Sequence, residues 1–318
     1  STRYETLFPY TTLFRSVGVF ELAMSDPGIG EIDRLGRTLR PHVAVVLNAL
    51  PVHLEYLGTV ERVAEAKTEI LAHLEGAAWV VLGGDGRELR EAVDRRGVSG
   101  ALSFGFQKGN DVHIGAVRRI SGRTLVDLEW RHRRETLVVP PLTDVQVENM
   151  VAAWMVARLC GVGERRLNRA LLELQPLPGR GNLVHLGGWT LVDDTYNANP
   201  QAMIRAMDWL VEALPGPHVA VLGGMLELGP DAESWHMRVG AHAARAGVDA
   251  LVAVGEAGTW LARGAREEGL DDARIIEVSG PREAGIWLRE STMRGSALLK
   301  ASRGIGLEKA LREVQHGV

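Results

Sequence analysis

The alternation of short apolar runs with amphipathic stretches is the feature that most limits how this chain can fold. Runs such as HVAVVLNAL (42–50) and HVAVLGGML (218–226) are apolar on both sides, and stretches with apolar residues at helical spacing separate them. A strand that is apolar on both faces belongs in a parallel sheet whose two faces are covered by helices. The pattern therefore predicts an α/β protein.

The first half of the chain combines two kinds of pattern. Between residues 17 and 84, VGVFEL, HVAVVLNAL and AWVVLGG are predicted strands, separated by predicted helices in GEIDRLGRTL and VERVAEAKTEILAHL. Residues 98–139 instead show the period-two alternation that is typical of antiparallel strands, and a helical pair follows over 147–174. The first half is therefore expected to form a mixed sheet with helices.

The breaker cluster QPLPGRGN (175–182) is the clearest boundary in the sequence. After it, the pattern predicts six strands alternating with five helices, which is a complete doubly wound, Rossmann-like domain. We predict one domain over 17–177 and a second over 178–318. Residues 1–16 differ in composition from the rest of the chain, and we interpret them as an unmatched segment joined to the first domain near Val17.

Composition excludes several classes of protein. The formal net charge of −4 argues against a nucleic-acid-binding protein, which normally has a basic excess. The apolar runs are shorter than the roughly 20 residues that a membrane span needs. The single cysteine, Cys160, excludes an internal disulfide framework and a cysteine-based zinc site. We expect a cytoplasmic monomer without a membrane span.

One candidate site lies in the first half of the chain. His53 follows the predicted strand 42–50, Glu21 lies in or just after the predicted strand VGVFEL, and Lys67 lies within the next helix. A carboxylate and an imidazole at one sheet edge could share a divalent cation. Taken singly, His53 also fits an ordinary loop histidine and Lys67 a solvated helix face.

Two polar segments in the second half come directly after predicted strands. In LVDDTYNANPQAM (191–203), Asp193 and Asp194 can accept hydrogen bonds from hydroxyl groups, while Asn197 and Asn199 can bind a ligand or cap the helix. In LLKASRGIGLEKA (298–310), the cationic turn suits an anion at a helix N-terminus, or is simply a solvated basic turn. Its polar residues are Lys300, Ser302 and Arg303.

Glycine-rich turns add little on their own. GGDG (83–86) and GGMLELG (223–229) come after predicted strands, and their spacing favours tight strand-to-helix turns over ligand-binding loops. The sequence contains neither G-x-x-x-x-G-K-[ST] nor a G-x-G-x-x-G that opens a helix after a strand.

In their order along the chain, these segments resemble the Mur ligase family, from about Val17 to Val318. DDTYNANP (193–200) with GGMLELG after it is similar to the branch that adds D-Ala-D-Ala to UDP-MurNAc-tripeptide in peptidoglycan precursor synthesis. The resemblance implies a central P-loop-type ATPase domain and, after it, a Rossmann-like domain. It also implies ATP and Mg²⁺ as cofactors, with a carboxylate activated as an acyl phosphate and then attacked by an amine.

The resemblance implies a role for each candidate residue. Glu21, His53 and Lys67 match Mg²⁺ ligands, with His53 and Lys67 also catalytic and Lys67 carried as a carbamate. Arg180 and Asp194 match residues that contact the nucleotide phosphate and ribose. The remaining nucleotide-site matches are Tyr196, Asn197, Asn199 and Asn149. Lys300, Ser302 and Arg303 match a turn near the incoming dipeptide.

Several motifs depart from the family pattern. The phosphate loop is missing, and GGDG stands where the family has N-A-D-N/D. We therefore expect the family's UDP-sugar-binding domain and phosphate loop upstream of Val17, and no ligase activity from this chain by itself. Two alternatives stay open: another Mur-type ligase, such as an amino-acid-adding or folylpolyglutamate synthetase-like enzyme, and a non-catalytic paralogue that acts as a binding module.

Overall fold

The computed structural model describes residues 17–24, 29–51, 54–120 and 122–315. His53 and the segment 1–16 lie outside these ranges, so the predictions made for them are not addressed by the structure.

The first sheet is mixed and has six strands in the order β1-β2-β3-β4-β5-β6. Strands β1 to β4 pair in parallel, whereas β4, β5 and β6 pair antiparallel as a meander. The bounds are β1 Val43–Val46, β2 Trp79–Gly83, β3 Leu102–Gly105, β4 Val112–Ile120, β5 Arg123–Trp130 and β6 Arg133–Val139.

Antiparallel pairing over 98–139 was predicted correctly for β4 to β6 and wrongly for β3. Strand β3 pairs in parallel with both β2 and β4. The helix Arg87–Arg95 joins β2 to β3, and such a crossover returns the chain to the sheet in the same direction. Period two alone cannot distinguish these two directions.

Six α-helices accompany this sheet in the described part of the first half. They are α1 Glu31–Leu39, α2 Leu54–Leu57, α3 Val60–Thr68, α4 Arg87–Arg95, α5 Asp144–Leu159 and α6 Glu164–Leu172. Helix α5 begins with a capping box, in which the Thr143 side chain accepts from the Gln146 amide and the Gln146 side chain accepts from the Thr143 amide. It packs Trp154 and Met155 into the core beneath β4 to β6.

The predicted strand VGVFEL is wrong. Residues 17–24 have no regular secondary structure, and Val19 is 90% exposed. Among the described strands β1 pairs only with β2, so residues 17–24 make no ladder hydrogen bonds along its other edge. The apolar pattern therefore does not produce a strand here, and Glu21 lies on an exposed irregular segment.

The second sheet confirms the Rossmann-like prediction. Within the described residues it has six strands in the order β11-β10-β9-β12-β8-β7, accompanied by five α-helices. The strands are β7 Asn182–Leu186, β8 Trp189–Asp194, β9 His218–Leu222, β10 Ala250–Val254, β11 Ile275–Val278 and β12 Ser296–Lys300. The helices are α7 Pro200–Ala213, α8 Ala232–Ala246, α9 Gly258–Glu267, α10 Pro281–Glu290 and α11 Glu308–Gln315.

Strand order brings the carboxyl ends of three strands together at one edge of this sheet. Strand β12, the last along the chain, lies between β8 and β9 and is parallel to both, while β7 pairs antiparallel with β8 at the edge. The carboxyl ends of β8, β12 and β9 are therefore neighbours, at a point where the connections reverse direction. Open α/β sheets bind ligands at such a point. No described helix has the length and apolar character needed to cross a membrane.

The two sheets are joined through α5 and α7. Glu148 and Arg205 form an ion pair of 2.9 Å between these helices, and the indole N–H of Trp209 donates to the Leu142 carbonyl at 3.2 Å. Burial raises the pKa of Glu148, against the opposing effect of Arg205. We call the first sheet with its helices (residues 31–172) the first unit and the second sheet with its helices (residues 182–315) the second unit. Polar contacts thus fix how the second unit lies against the first.

Candidate functional site at the carboxyl edge of the second sheet

Lys300 and Asp194 form an ion pair at this edge of the sheet. Lys300 ends β12 with its side chain only 5% exposed, and its Nζ lies 2.5 Å from Oδ2 of Asp194 at the end of β8. The same Nζ donates to the carbonyl of Asn197 at 3.0 Å. The predicted cation is therefore paired with the predicted acid, and Lys300 fixes the segment that comes after β8.

Ser302 joins three loops at this edge. Its hydroxyl accepts from the Leu226 amide at 2.9 Å and donates to the Ala198 carbonyl at 3.3 Å. These partners lie after β9 and β8, respectively, while Ser302 lies after β12. The segments DDTYNANP, GGMLELG and KASR, which are far apart in the sequence, thus meet in space.

The two asparagines of this tract contact backbone amides. The Asn199 side chain accepts from the Ala202 amide at 2.9 Å and caps α7, with Pro200 in the first turn. The Asn197 side-chain oxygen accepts from the Ala198 amide at 2.8 Å. Helix capping therefore accounts for Asn199, whereas Asn197 is exposed and orders its own turn.

Tyr196 is flanked by two arginines. The Arg180 guanidinium lies 4.1 Å from the centre of the Tyr196 ring, and that of Arg303 lies 5.8 Å from it. Tyr196 is 43% exposed. Arg180 has no carboxylate partner among the described ion pairs, so its charge is available to an anion.

Asp193 orders the turn that carries Arg180, a role that its sequence position did not predict. Its carboxylate accepts from the Gly179 amide at 3.1 Å and from the Thr195 hydroxyl at 2.7 Å. Gly179 has a φ of +74°, and a Cβ there would lie 3.2 Å from Tyr196, so this turn needs glycine. The adjacent D-D-T sequence was the available signal, because aspartate commonly bonds backbone amides in turns.

Helix α5 of the first unit also reaches this turn. The Gln146 side-chain amide donates to the Arg180 carbonyl at 2.5 Å. Asn149, the other predicted nucleotide contact, is exposed on the same helix, three residues further along. The Arg180 turn therefore contacts both units.

Lys67 is largely enclosed in the first unit. Its Nζ donates to the Asn48 carbonyl at 2.9 Å, just beyond β1. Burial lowers the pKa of Lys67, which increases the fraction of neutral amine. The interpretation of Lys67 as a solvated helix face is therefore wrong.

Of the three predicted metal ligands, the structure describes Glu21 and Lys67 and not His53. No group of three or more histidine, cysteine, aspartate or glutamate side chains that could hold a metal occurs in the part of the chain that the structure describes. Glu21 is exposed, and a lysine amine that donates a hydrogen bond is not a Mg²⁺ ligand. The set fits Mg²⁺ only if Lys67 acquires oxygen donors.

The GGDG segment forms a strand-to-helix turn, as its spacing predicted. Asp85 in this turn accepts from the Phe106 amide at 2.7 Å and from the Asn110 side chain at 2.8 Å. A Cβ on Gly84 would lie 2.0 Å from the Asn110 side-chain oxygen, so this position requires glycine. Asp85 thereby holds the loop between β3 and β4, a role that its sequence position does not reveal.

Comparison with known proteins identifies the class. A Mur ligase middle domain profile matches residues 12–157, and a Mur ligase glutamate ligase domain profile matches residues 179–303. The chain belongs to the Mur ligase family.

Within this family, the chain is similar to MurF enzymes. The UDP-N-acetylmuramoyl-tripeptide–D-alanyl-D-alanine ligases of Bacillus subtilis and Mycobacterium leprae are 29% and 32% identical to it, and each alignment covers 94% of this chain. The chain spans 64% of the length of these two relatives.

Solved MurF structures share the fold. MurF from Thermotoga maritima, solved with ADP, superposes with a TM-score of 0.80 at 28% identity, covering 91% of this chain and 65% of its own. MurF from Acinetobacter baumannii gives a TM-score of 0.80 at 25% identity, covering 91% of this chain and 62% of its own.

Proposed function

We propose that this chain supplies the ATP-dependent ligase portion of an enzyme that joins D-Ala-D-Ala to UDP-MurNAc-tripeptide. The observation that carries the proposal is the meeting of DDTYNANP, GGMLELG and KASR at one sheet edge through Ser302 and Lys300. The similarity to MurF enzymes over 94% of the chain supports the same reaction. We propose that the protein acts as a cytoplasmic monomer, with domains meeting near residues 177 and 178.

We propose that the nucleotide binds beside Tyr196. Arg180, which has no carboxylate partner among the described residues, suits a phosphate, and the partly exposed carboxylate of Asp194 suits a ribose hydroxyl. Asn149, Asn197 and Asn199 are proposed to line the same site. ATP, when bound, would supply the phosphoryl group that activates the peptide carboxylate.

For the incoming dipeptide we propose Arg303 as the direct contact. Its side chain is 65% exposed and lies 3.9 Å from the Glu308 carboxylate, so its charge is accessible to a substrate carboxylate. Lys300 and Ser302 are enclosed and hydrogen-bonded to other loops, which suits them to position this turn.

We propose that Lys67 is carbamylated and that Mg²⁺ is held by this carbamate together with Glu21 and His53. The neutral amine attacks the carbon of CO₂ and releases one proton to water, which converts a cation into two oxygen donors. The lowered pKa of Lys67 supports this step, because only the neutral amine is nucleophilic.

The first test measures ADP binding to the purified chain by calorimetry. Arg180→Met should weaken binding about tenfold, as expected for loss of a charge-assisted phosphate contact. Arg134→Met is the matched control, because Arg134 is an arginine with an 83% exposed side chain on β6. Equal affinities for the two variants would contradict the nucleotide site.

The second test measures ligation. The chain, alone and joined to the N-terminal region of a MurF relative, is incubated with ATP, Mg²⁺, UDP-MurNAc-tripeptide and D-Ala-D-Ala, and the product mass is recorded. We expect the dipeptide adduct only from the joined form. Adducts with single amino acids would identify another Mur-type ligase, and a joined form without product would support a binding module.

A third test addresses Lys67. Chain equilibrated with ¹³C-bicarbonate should give one carbamate carbon resonance that disappears in Lys67→Met and persists in Lys108→Met. A spectrum without this resonance in the unsubstituted chain would exclude carbamylation.

A further inference from the structure

The loop after β9 is fixed by two side chains that belong to other segments. The Met225 amide donates to Nε2 of His236 at 2.8 Å, and the next amide, of Leu226, donates to the Ser302 hydroxyl at 2.9 Å. Two consecutive backbone N–H groups of the loop thus donate to side chains that lie outside it. We call residues 223–229 the β9 loop.

His236 is built to accept this hydrogen bond. It is 1% exposed on α8, and its Nδ1 lies 2.6 Å from the carbonyl of Ala232, one turn earlier. A carbonyl only accepts, so Nδ1 carries the proton and Nε2 presents its lone pair to Met225. Trp260 packs against the imidazole with a centroid separation of 5.5 Å, which restricts the ring orientation.

The residue after this pair has an uncommon backbone conformation. Glu227 has a φ of +62°, in the left-handed region that residues other than glycine rarely adopt. Such a conformation persists when its surroundings impose it, and it is often found at functional positions. Here the two preceding amides are bound by His236 and Ser302, and Gly229, two residues further along, is also at positive φ.

The β9 loop touches the first unit at a specific place. The Glu227 carbonyl accepts from the Glu55 amide at 3.4 Å, and a Cβ on Gly229 would lie 3.5 Å from the Glu55 Cα. Glu55 belongs to α2, which begins immediately after His53. The loop of one unit therefore rests on the helix that directly follows His53, a proposed metal ligand, in the sequence of the other.

We propose that His236 is a positioning residue, which fixes the β9 loop so that Glu227 contacts α2 and aligns the two halves of the proposed ligase site. This role of His236 rests on the proposed function, because α2 belongs to the ligase site only if His53, which precedes it, is a metal ligand. The arrangement of the loop itself depends on contacts within this chain.

The experiment compares amide hydrogen exchange in the unsubstituted chain, His236→Leu, His236→Gln and His242→Leu. Leucine lacks an acceptor, whereas the glutamine side chain offers both an acceptor for Met225 and a donor for Ala232. His242→Leu is the control, because His242 lies on the same helix and pairs with Asp208 rather than with the β9 loop. Urea unfolding of each variant reports overall stability.

In His236→Leu, exchange should rise about tenfold in peptides covering 223–229 and 54–57, with the strands of the second sheet unchanged. His236→Gln should restore protection in both peptides, and His242→Leu should leave them protected. The proposal is overturned if His236→Leu leaves exchange in either peptide unchanged, if exchange rises throughout the second sheet, or if glutamine fails to restore it.

Failure of the proposed function would look different. The exchange measurement needs neither nucleotide nor ligation. A chain that shows this exchange pattern but yields no product in the ligation test would contradict the proposed ligase activity and still support the role of His236 in fixing the β9 loop. A chain that yields the ligation product but lacks this exchange pattern would contradict only the positioning role of His236.

Discussion

Replacing Lys300 with methionine should destabilise the second unit substantially. Methionine nearly matches the length of lysine, so packing is preserved while the Asp194 carboxylate and the Asn197 carbonyl lose their donor. Removing one partner of a buried ion pair costs about 3–5 kcal/mol. Because the Asp194 side chain is 22% exposed, water replaces part of the lost interaction, and we expect about 2–3 kcal/mol.

Urea denaturation monitored by circular dichroism measures this loss, with Lys309→Met as the control because Lys309 is exposed on α11. In a thermal melt, Lys300→Met should also lower Tm by roughly 5–10 °C. The double variant Asp194→Asn/Lys300→Met should recover at least half of the stability, since no uncompensated charge remains. If Lys300→Met behaves like Lys309→Met, or if the double variant is no more stable than the single one, the pairing does not organise this edge.

Three further predictions concern the junction and the β9 loop. Trp209→Phe loses the indole N–H that bonds the Leu142 carbonyl and leaves a cavity where the larger ring was buried, so it should cost about 2–3 kcal/mol in urea denaturation. Gln146→Glu keeps an acceptor for the capping box but has no donor for the Arg180 carbonyl, so calorimetry should show ADP binding weakened several-fold with helix content unchanged. Burial lowers the pKa of His236 below its ordinary 6.5, so the unfolded chain binds a proton first as pH falls. Stability should therefore be full above pH 6.5 and decline as the pH falls from there through the lowered pKa, and urea titrations of His236→Gln should lack this decline.

Burial patterns made most of the fold predictable. Strands β9, β10 and β12 are buried along nearly their whole length, so their sequences are continuously apolar and identify a covered parallel sheet. VGVFEL has the same appearance but forms no strand, because pairing depends on a neighbour that the local sequence does not specify. Strand β3 shows the same limit, since its direction is set by the crossover through α4.

The candidate site was predictable in its location and less so in its contacts. The meeting of the polar residues after β8 and β12 at one sheet edge was predictable, because parallel strands end together. The sequence did not reveal that Lys300 and Asp194, 106 positions apart, neutralise each other. His236 carried no signal, since a single histidine on a helix has many possible roles and its partner Met225 contributes only a backbone amide.

The distribution of charge at this edge would couple the proposed binding of an anion to the orientation of the two units. Lys300 is neutralised by Asp194, so Arg180 and Arg303 provide the accessible positive charge around Tyr196. The Arg180 backbone is bound by Gln146 of the first unit and its turn by Asp193 of the second. A change in the relative orientation of the units would therefore displace Arg180. An anion that binds Arg180 best in one orientation stabilises that orientation by its difference in affinity, so a nucleotide at the proposed site would bias the orientation of the units only as far as its affinity differs between orientations.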